Sequence, residues 1–187
     1  ISQAAADFFV ERGYSNVERL PKALDSAQLR ARIKGVHILG IRSRTELTAD
    51  ALAHADRLIA AGCFSVGTDQ VDLRAAKAAG VPIFNAPFSN TRSVAELVMT
   101  YMGMPFRGLY GKIKGAHNGE WSKETAGSVE MRGKTIGIVG YGHIGQQVGL
   151  LAEAFGMRVL FHDIVRKLPL GLARPIADVD ELIEQSD

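Results

Sequence analysis

The run from Thr135 to Gly145, TIGIVGYGHIG, passes from a short apolar segment directly into the pattern G-x-G-x-x-G. A lone pattern of this kind is weak, because a chain with 20 glycines produces such spacings in ordinary turns. Here a strand-like segment precedes the pattern and helical spacing follows it. In that setting Gly140 permits a tight turn, Gly142 lets the backbone approach a pyrophosphate, and Gly145 lets the helix pack closely on the strand.

The same stretch predicts how a dinucleotide is held. Backbone amides near His143 and Ile144, at the start of the helix, are expected to face a diphosphate, where the helix dipole favours negative charge. A second strand ends at Asp163, 23 residues after Gly140, where a carboxylate can accept hydrogen bonds from both ribose hydroxyls. This carboxylate predicts NAD rather than NADP, although Arg166 is near enough to leave the alternative open. The competing interpretation is a tight strand-to-helix turn followed by a surface aspartate.

Short apolar runs alternate with helical spacing along most of the chain, which is typical of βαβ units and parallel sheets. Gly80 and Gly156 stand where glycine ends a helix. The predicted strands are 36–41, 57–60, 82–85, 135–139 and 158–162, and the predicted helices include 48–55, 72–79 and 144–155. The fold class is therefore α/β with doubly wound parallel sheets.

Composition narrows the function classes. The chain has 22 basic and 20 acidic residues, a net charge of +2, which predicts neither a nucleic-acid nor a membrane partner. Its single cysteine, Cys63, excludes an internal disulfide framework and favours a reducing cytoplasm. The five histidines lack metal-ligand spacing, so no metal is expected.

Three stretches together resemble one family. The glycine pattern followed by VLFHD at 159–163 is similar to the nucleotide-binding signature of the D-isomer-specific 2-hydroxyacid dehydrogenases, and the segments 39–45 and 85–97 strengthen the match. The resemblance implies a flavodoxin-like substrate-binding domain at 1–90 and the first half of a Rossmann NAD-binding domain at 91–187. A connecting helix and loop at 91–132 leads into the second domain. It further implies NAD as cofactor, a phosphorylated 2-hydroxyacid as substrate, and a homo-oligomer.

The resemblance also assigns substrate residues. Arg42 and Ser43, with Arg44, follow a predicted strand, at the end where α/β sheets place ligands. The family's loop whose backbone amides take the substrate carboxylate corresponds to Ser65, Val66 and Gly67. Further phosphate partners are expected at Asn90, Arg92 and Lys123. For each arginine the alternative is a solvated surface charge.

No catalytic residue is expected within the chain. In the family a histidine, a glutamate and an arginine perform the chemistry after the second half of the nucleotide domain, which would lie beyond Asp187. Because the chain also begins without Met, it is expected to be an internal fragment. Pro105 should break or kink the connecting helix, because proline lacks the backbone donor.

Two functions of different class remain open. One is an NAD-dependent oxidoreductase acting at carbon 2 of 3-phosphoglycerate or another D-2-hydroxyacid. The other is a non-catalytic module that senses NAD, because the same fold serves both purposes.

Overall fold

A computed structural model describes residues 2–187, and they divide into two compact units, one ending at Ser89 and the other spanning Asn90–Asp187. The elements of the first unit alternate between helix and strand after an initial helical pair. They are α1 (Gln3–Glu11), α2 (Ser26–Arg32), β1 (Ile38–Ile41), α3 (Ala49–Ala53), β2 (Ala60–Cys63), α4 (Leu73–Ala78) and β3 (Ile83–Asn85).

The three strands of the first unit form a parallel sheet in the order β1-β2-β3. Ile41 pairs with Cys63, and Cys63 pairs with Asn85, so the three strands end at one edge. The strand expected at 57–60 is wrong: β2 begins where that segment ends. Leu58 instead donates its N–H to Ala55 in a turn and buries its side chain, while the small residues of β2 form the central strand.

The core of the first unit lies between this sheet and helices α2 to α4. Helix α2 begins with a reciprocal capping box between Asp25 and Gln28, which satisfies two amides that the helix itself leaves unpaired. Twelve buried residues form this core: Leu29, Ile33, Ile41, Leu47, Ala51, Leu52, Leu58, Ala61, Cys63, Val71, Ala76 and Val81.

The second unit has two long helices before its sheet. Its elements are α5 (Thr91–Phe106), α6 (Leu109–His117), β4 (Thr135–Val139), α7 (His143–Ala154), β5 (Arg158–His162), β6 (Arg174–Pro175) and α8 (Val179–Glu184). The sheet is parallel with the order β4-β5-β6, and Val139 pairs with His162. The strands predicted at 135–139 and 158–162 are confirmed residue for residue.

Helix α5 ends at Phe106, one residue after Pro105, which has no N–H to donate to the preceding turn. Gly108 then adopts a left-handed conformation with φ of 59°, and α6 begins at the next residue. The core of this unit packs α5 and α7 against the sheet and includes Ala95, Met99, Ile138, Tyr141, Val148, Ala152, Met157, Val159, Phe161 and Ala173. Among residues 2–187, no helix is long and apolar enough to cross a membrane.

Candidate functional site

The segment Gly140–Gly145, here called the glycine turn, connects β4 to α7. Gly140 has φ of 90° and donates its N–H to the carbonyl of His162 at 2.8 Å, which joins the turn to the end of β5. Gly145 lies so close to the strand that a Cβ there would collide with the carbonyl oxygen of Gly140 and meet Ile138 at 3.1 Å. A side chain would therefore strain the backbone at Gly140 and clash at Gly145, in agreement with the roles that the sequence predicts for these glycines.

Gly142 is different, because nothing lies within 4 Å of a Cβ built on it and its φ of −82° is ordinary. It is the N-cap of α7 and, having no side chain, leaves the start of the helix without a side-chain acceptor. The open space above Gly142 and the positive end of the helix dipole make a place where an anionic group can approach the backbone. His143, Ile144 and Gly145 supply the first turn of that helix.

Asp163 lies one residue beyond β5 and is hydrogen-bonded through both carboxylate oxygens. Its Oδ2 accepts from the N–H of Tyr141 at 2.8 Å, and its Oδ1 accepts from the N–H of Val165 at 2.9 Å. The Val165 amide, then the Tyr141 amide and the charges of Lys167 and His162, hold the pKa of Asp163 below its usual value. The group is therefore an anion, and a carboxylate has further lone pairs that can accept from hydroxyls.

A cavity of about 380 Å³ lies next to Asp163 at the carboxyl end of β5. His162 also lines it, and its Nδ1–H donates to the carbonyl of Ile176 at 3.1 Å. Arg166 and Lys167 contribute positive charge, and Leu168 and Ile176 contribute apolar surface. A cavity of this size with apolar walls and few polar groups can hold a nucleoside.

Tyr141, inside the glycine turn, is a core residue that the sequence pattern did not single out. Its ring is fully buried and stacks on Phe161 with centroids 3.8 Å apart and planes 13° apart. Burial raises the pKa of the Tyr141 hydroxyl above its usual value. The turn is thus fixed to β5 by ring packing and by the bond from Tyr141 to Asp163.

In the first unit, Arg42, Ser43 and Arg44 follow β1 directly and are all exposed. The N–H of Thr45 donates to the carbonyl of Arg42 at 3.2 Å, which closes a four-residue turn, here called the arginine turn. Thr45 is buried, and its Oγ1 accepts from the N–H of Leu24 at 3.3 Å, so it anchors the turn to a neighbouring segment. Within residues 2–187, neither arginine of this turn forms an ion pair.

Ser65, Val66 and Gly67, here called the amide loop, follow β2 and therefore lie at the same sheet edge as the arginine turn. Phe64 donates its N–H to the carbonyl of Ile41 at 2.8 Å, which continues the pairing of the two segments to this point. The structure thus brings together two of the three expected groups of substrate residues at one edge of a parallel sheet, where such folds bind ligands.

The third group lies in the second unit. Asn90 is the N-cap of α5, but its side chain makes no capping bond. Arg92 is already engaged, since its Nε donates to Glu96 at 2.7 Å and its Nη1 donates to Gln147 at 3.4 Å. Lys123 is exposed in an irregular segment and, within the described chain, has no ion-pair partner. These three assignments remain predictions.

Among residues 2–187, the cysteine and the possible metal-ligating side chains form no further site. Cys63 is buried at the end of β2, and burial raises the pKa of its thiol, which keeps it neutral. Residues 2–187 contain no group of three or more histidine, cysteine, aspartate or glutamate side chains placed to hold a metal ion.

Comparison with known proteins gives relatives across the whole chain. It is 50% identical over 187 residues to D-3-phosphoglycerate dehydrogenase of Haemophilus influenzae, covering all of this chain and 46% of that protein. It is 48% identical to D-3-phosphoglycerate dehydrogenase 1 of Saccharomyces cerevisiae, again over the whole chain but over 40% of the relative. The chain therefore spans less than half the length of these relatives.

Solved structures agree on the fold. The crystal structure of the TT0316 protein from Thermus thermophilus superposes with a TM-score of 0.83 at 31% identity, covering 98% of this chain and 59% of that one. The model of the family described as "D-isomer specific 2-hydroxyacid dehydrogenase, catalytic domain" matches residues 1–167. Because that match extends over most of the 187 residues, the chain belongs to the D-isomer specific 2-hydroxyacid dehydrogenase family.

Proposed function

We propose that the protein carrying this chain oxidises D-3-phosphoglycerate to 3-phosphohydroxypyruvate with NAD, a step of serine biosynthesis. Family membership and two relatives named for this activity support the proposal. The structural observation that carries it is the joint geometry of the glycine turn and Asp163. Here an open helix N-terminus and an anionic carboxylate lie at the ends of two neighbouring parallel strands.

The residues present fit a dinucleotide. The diphosphate would lie over Gly142, at the first turn of α7, because the absence of a side chain leaves open space there beside the helix N-terminus. Asp163 would accept from the ribose hydroxyls, and its charge would repel a 2′-phosphate, which favours NAD over NADP. Arg166 and Lys167 line the same cavity and lessen that repulsion without removing it. When bound, NAD supplies the hydride acceptor for the oxidation.

Substrate recognition is assigned to 1–90 and cofactor binding to 91–187. Arg42 and Arg44 would pair with the anionic groups of the substrate, Ser43 would donate a hydrogen bond, and the amide loop would hold the carboxylate. These donors suit a substrate with two anionic ends better than one with a single carboxylate. Asn90, Arg92 and Lys123 are proposed as further partners. The family's histidine and glutamate, outside residues 1–187, would handle the proton of the 2-hydroxyl.

A homo-oligomer is part of the proposal. Large apolar side chains are exposed on helices α5 and α6 and on the segment that follows α6. Several such side chains exposed on one region commonly mark a contact surface for another protein chain. Among them are Tyr101 at 61%, Tyr110 at 73% and Trp121 at 80% exposure. Light scattering of the complete protein would reveal the oligomer, and a strictly monomeric enzyme would contradict this part of the proposal.

We also place the protein in the cytoplasm, because a buried free thiol such as Cys63 suits a reducing compartment.

The test of substrate choice compares kcat/KM for D-3-phosphoglycerate, D-glycerate and D-lactate with NAD in the complete protein. We expect the phosphorylated acid to be preferred by roughly a hundredfold or more, because the unphosphorylated acids leave a cationic partner unpaired. Equal rates with D-glycerate would contradict the substrate assignment while leaving the family's chemistry intact. NAD binding without turnover of any D-2-hydroxyacid would favour the non-catalytic sensor instead.

A further inference from the structure

All three carbonyl oxygens of the amide loop accept hydrogen bonds from the protein. The carbonyl of Ser65 accepts from the N–H of Ala86 at 3.0 Å, and that of Val66 accepts from Nδ2 of Asn85 at 2.6 Å. The carbonyl of Gly67 accepts from the Ser65 hydroxyl at 2.8 Å, and that hydroxyl accepts in turn from Nε2 of Gln70 at 3.0 Å.

The carbonyl bonds fix the direction of the amides. In a trans peptide the N–H of one residue points opposite to the C=O of the residue before it. Tying the carbonyl of Ser65 inward therefore turns the N–H of Val66 outward, and tying that of Val66 does the same for Gly67. Consistent with this geometry, the N–H groups of Val66 and Gly67 donate to no acceptor within residues 2–187.

We infer that Asn85 and Gln70 are positioning residues for the amide loop. Asn85 holds the peptide that directs the N–H of Gly67 toward the substrate carboxylate, and Gln70, through the Ser65 hydroxyl, braces the end of the loop at the carbonyl of Gly67. Neither residue needs to touch the substrate. Asn85 ends β3 directly opposite Cys63 in register, which places its amide group beside the loop that follows β2. This inference rests on the proposed function, because it assumes that the amide loop binds an anionic substrate.

One neighbouring charge opposes anion binding at this loop. A Cβ on Gly67 would lie 2.8 Å from Oδ2 of Asp69, so the Asp69 carboxylate lies against the loop. A like charge beside a bound carboxylate weakens its binding. Neutralising Asp69 should therefore strengthen substrate binding, whereas removing Asn85 or Gln70 should weaken it.

The experiment measures kcat and both Michaelis constants of the complete protein with D-3-phosphoglycerate and NAD. For Asn85→Ala and Gln70→Ala we expect the KM for D-3-phosphoglycerate to rise about five- to tenfold, as loss of one hydrogen bond implies. The KM for NAD should stay within about twofold, since these residues belong to the unit without the glycine turn. For Asp69→Asn we expect the KM for D-3-phosphoglycerate to fall.

Asn16→Ala is the matched control, because Asn16 is an exposed asparagine of the same unit in an irregular segment. If Asn85→Ala fails to fold, Asn85→Asp is the alternative, because it keeps the shape of the side chain but removes the N–H that donates to the carbonyl of Val66. We expect it to raise the KM for D-3-phosphoglycerate further. An unchanged KM for D-3-phosphoglycerate in the Asn85 and Gln70 variants of an active enzyme overturns the inference, as does an equal change in both Michaelis constants. An inactive wild-type protein contradicts the proposed function instead.

Discussion

Asp163 has two partners in the structure, one of which belongs to the glycine turn. Its carboxylate accepts from the N–H of Tyr141 and also faces the cavity where the ribose is proposed to lie. Asp163→Ala should therefore weaken NAD binding about tenfold, because it removes the proposed hydrogen bonds to the ribose hydroxyls. It should also narrow the preference for NAD over NADP, because it removes the charge that repels a 2′-phosphate. Fluorescence titration of the complete protein with both cofactors measures this. Asp180→Ala, at an exposed aspartate of the same unit, is the control, and an unaltered preference for NAD over NADP in Asp163→Ala would contradict the assignment.

The lowered pKa values of Asp163 and Asp187 predict an acid-dependent stability. The Val165 amide is the main cause for Asp163 and the Lys134 ammonium group the main cause for Asp187. A carboxyl with a lowered folded-state pKa stabilises the fold above its unfolded value of about 3.8, and this contribution is lost as the pH falls through the lower folded value. Urea unfolding between neutral pH and pH ~3 should show a falling midpoint. Asp163→Asn should make the urea midpoint fall less steeply with decreasing pH. An equally steep fall in the variant would argue against the hydrogen bonds assigned to the Asp163 carboxylate.

Arg42 tests the substrate half of the site. Arg42→Ala should raise the KM for D-3-phosphoglycerate much more than that for NAD, with roughly a hundredfold loss of kcat/KM, because the proposed charge-assisted pair with the substrate is removed. Steady-state kinetics of the complete protein provide the measurement. A change within about twofold would return Arg42 to the role of a surface charge. Arg74→Ala, at an exposed arginine of α4, serves as the control.

At the level of elements, the packing of α7 on β4 depends on Gly145. Gly145→Ala places a methyl group against the carbonyl of Gly140 and against Ile138, so the helix must shift. We expect a loss of about 1–3 kcal/mol or more in the free energy of unfolding, together with weaker NAD binding. Urea unfolding measures the first effect. Gly103→Ala is the matched control, since it lies in α5 with only a Met131 sulfur at 3.9 Å, and should leave stability unchanged or raise it.

Elements with strong local signals were predictable from the sequence. Strands β4 and β5 are rich in apolar residues, Gly140 follows β4 and Gly156 stands two residues before β5, and their predicted bounds are the observed ones. Strand β2 lies three residues later than predicted, because its residues AAGC have weak strand propensity while the preceding Leu58 and Ile59 are strongly apolar. Strand β6 has only two residues, one of them proline, and carries no local signal. Helix α6 contains Gly111 and Gly115, and because glycine has low helix propensity the sequence of this segment indicates a loop rather than a helix.

The candidate site was predictable to a similar degree. Asp163 and the three glycines follow from spacing, but the bond from Tyr141 to Asp163 joins residues far apart in the chain. The bonds from Asn85 to Val66 and from Leu24 to Thr45 likewise depend on which segments the tertiary fold brings together. A sequence pattern identifies the groups that bind ligands more readily than the side chains that hold those groups in place.

At the scale of the whole molecule, each unit carries a parallel sheet whose carboxyl edge presents ligand-binding groups. In the first unit these are the arginine turn and the amide loop, and in the second they are the glycine turn and Asp163. This division supports the proposal that one unit binds substrate and the other binds cofactor.

A protein limited to residues 1–187 should show no sustained turnover of D-3-phosphoglycerate, because the proposed proton acceptor lies outside these residues. Turnover by that protein would place the acceptor within the chain.

The most direct measurement is NADH absorbance during incubation of the complete protein with D-3-phosphoglycerate and NAD. We expect sustained NADH formation that Gly142→Val abolishes, because a side chain there fills the space proposed for the diphosphate without a clash in the fold. Gly111→Val, at a glycine that also has open space around it, should leave NADH formation largely intact. Absence of NADH formation by a folded wild-type protein would contradict the proposed function, and NADH formation that Gly142→Val does not reduce would contradict cofactor binding at the glycine turn.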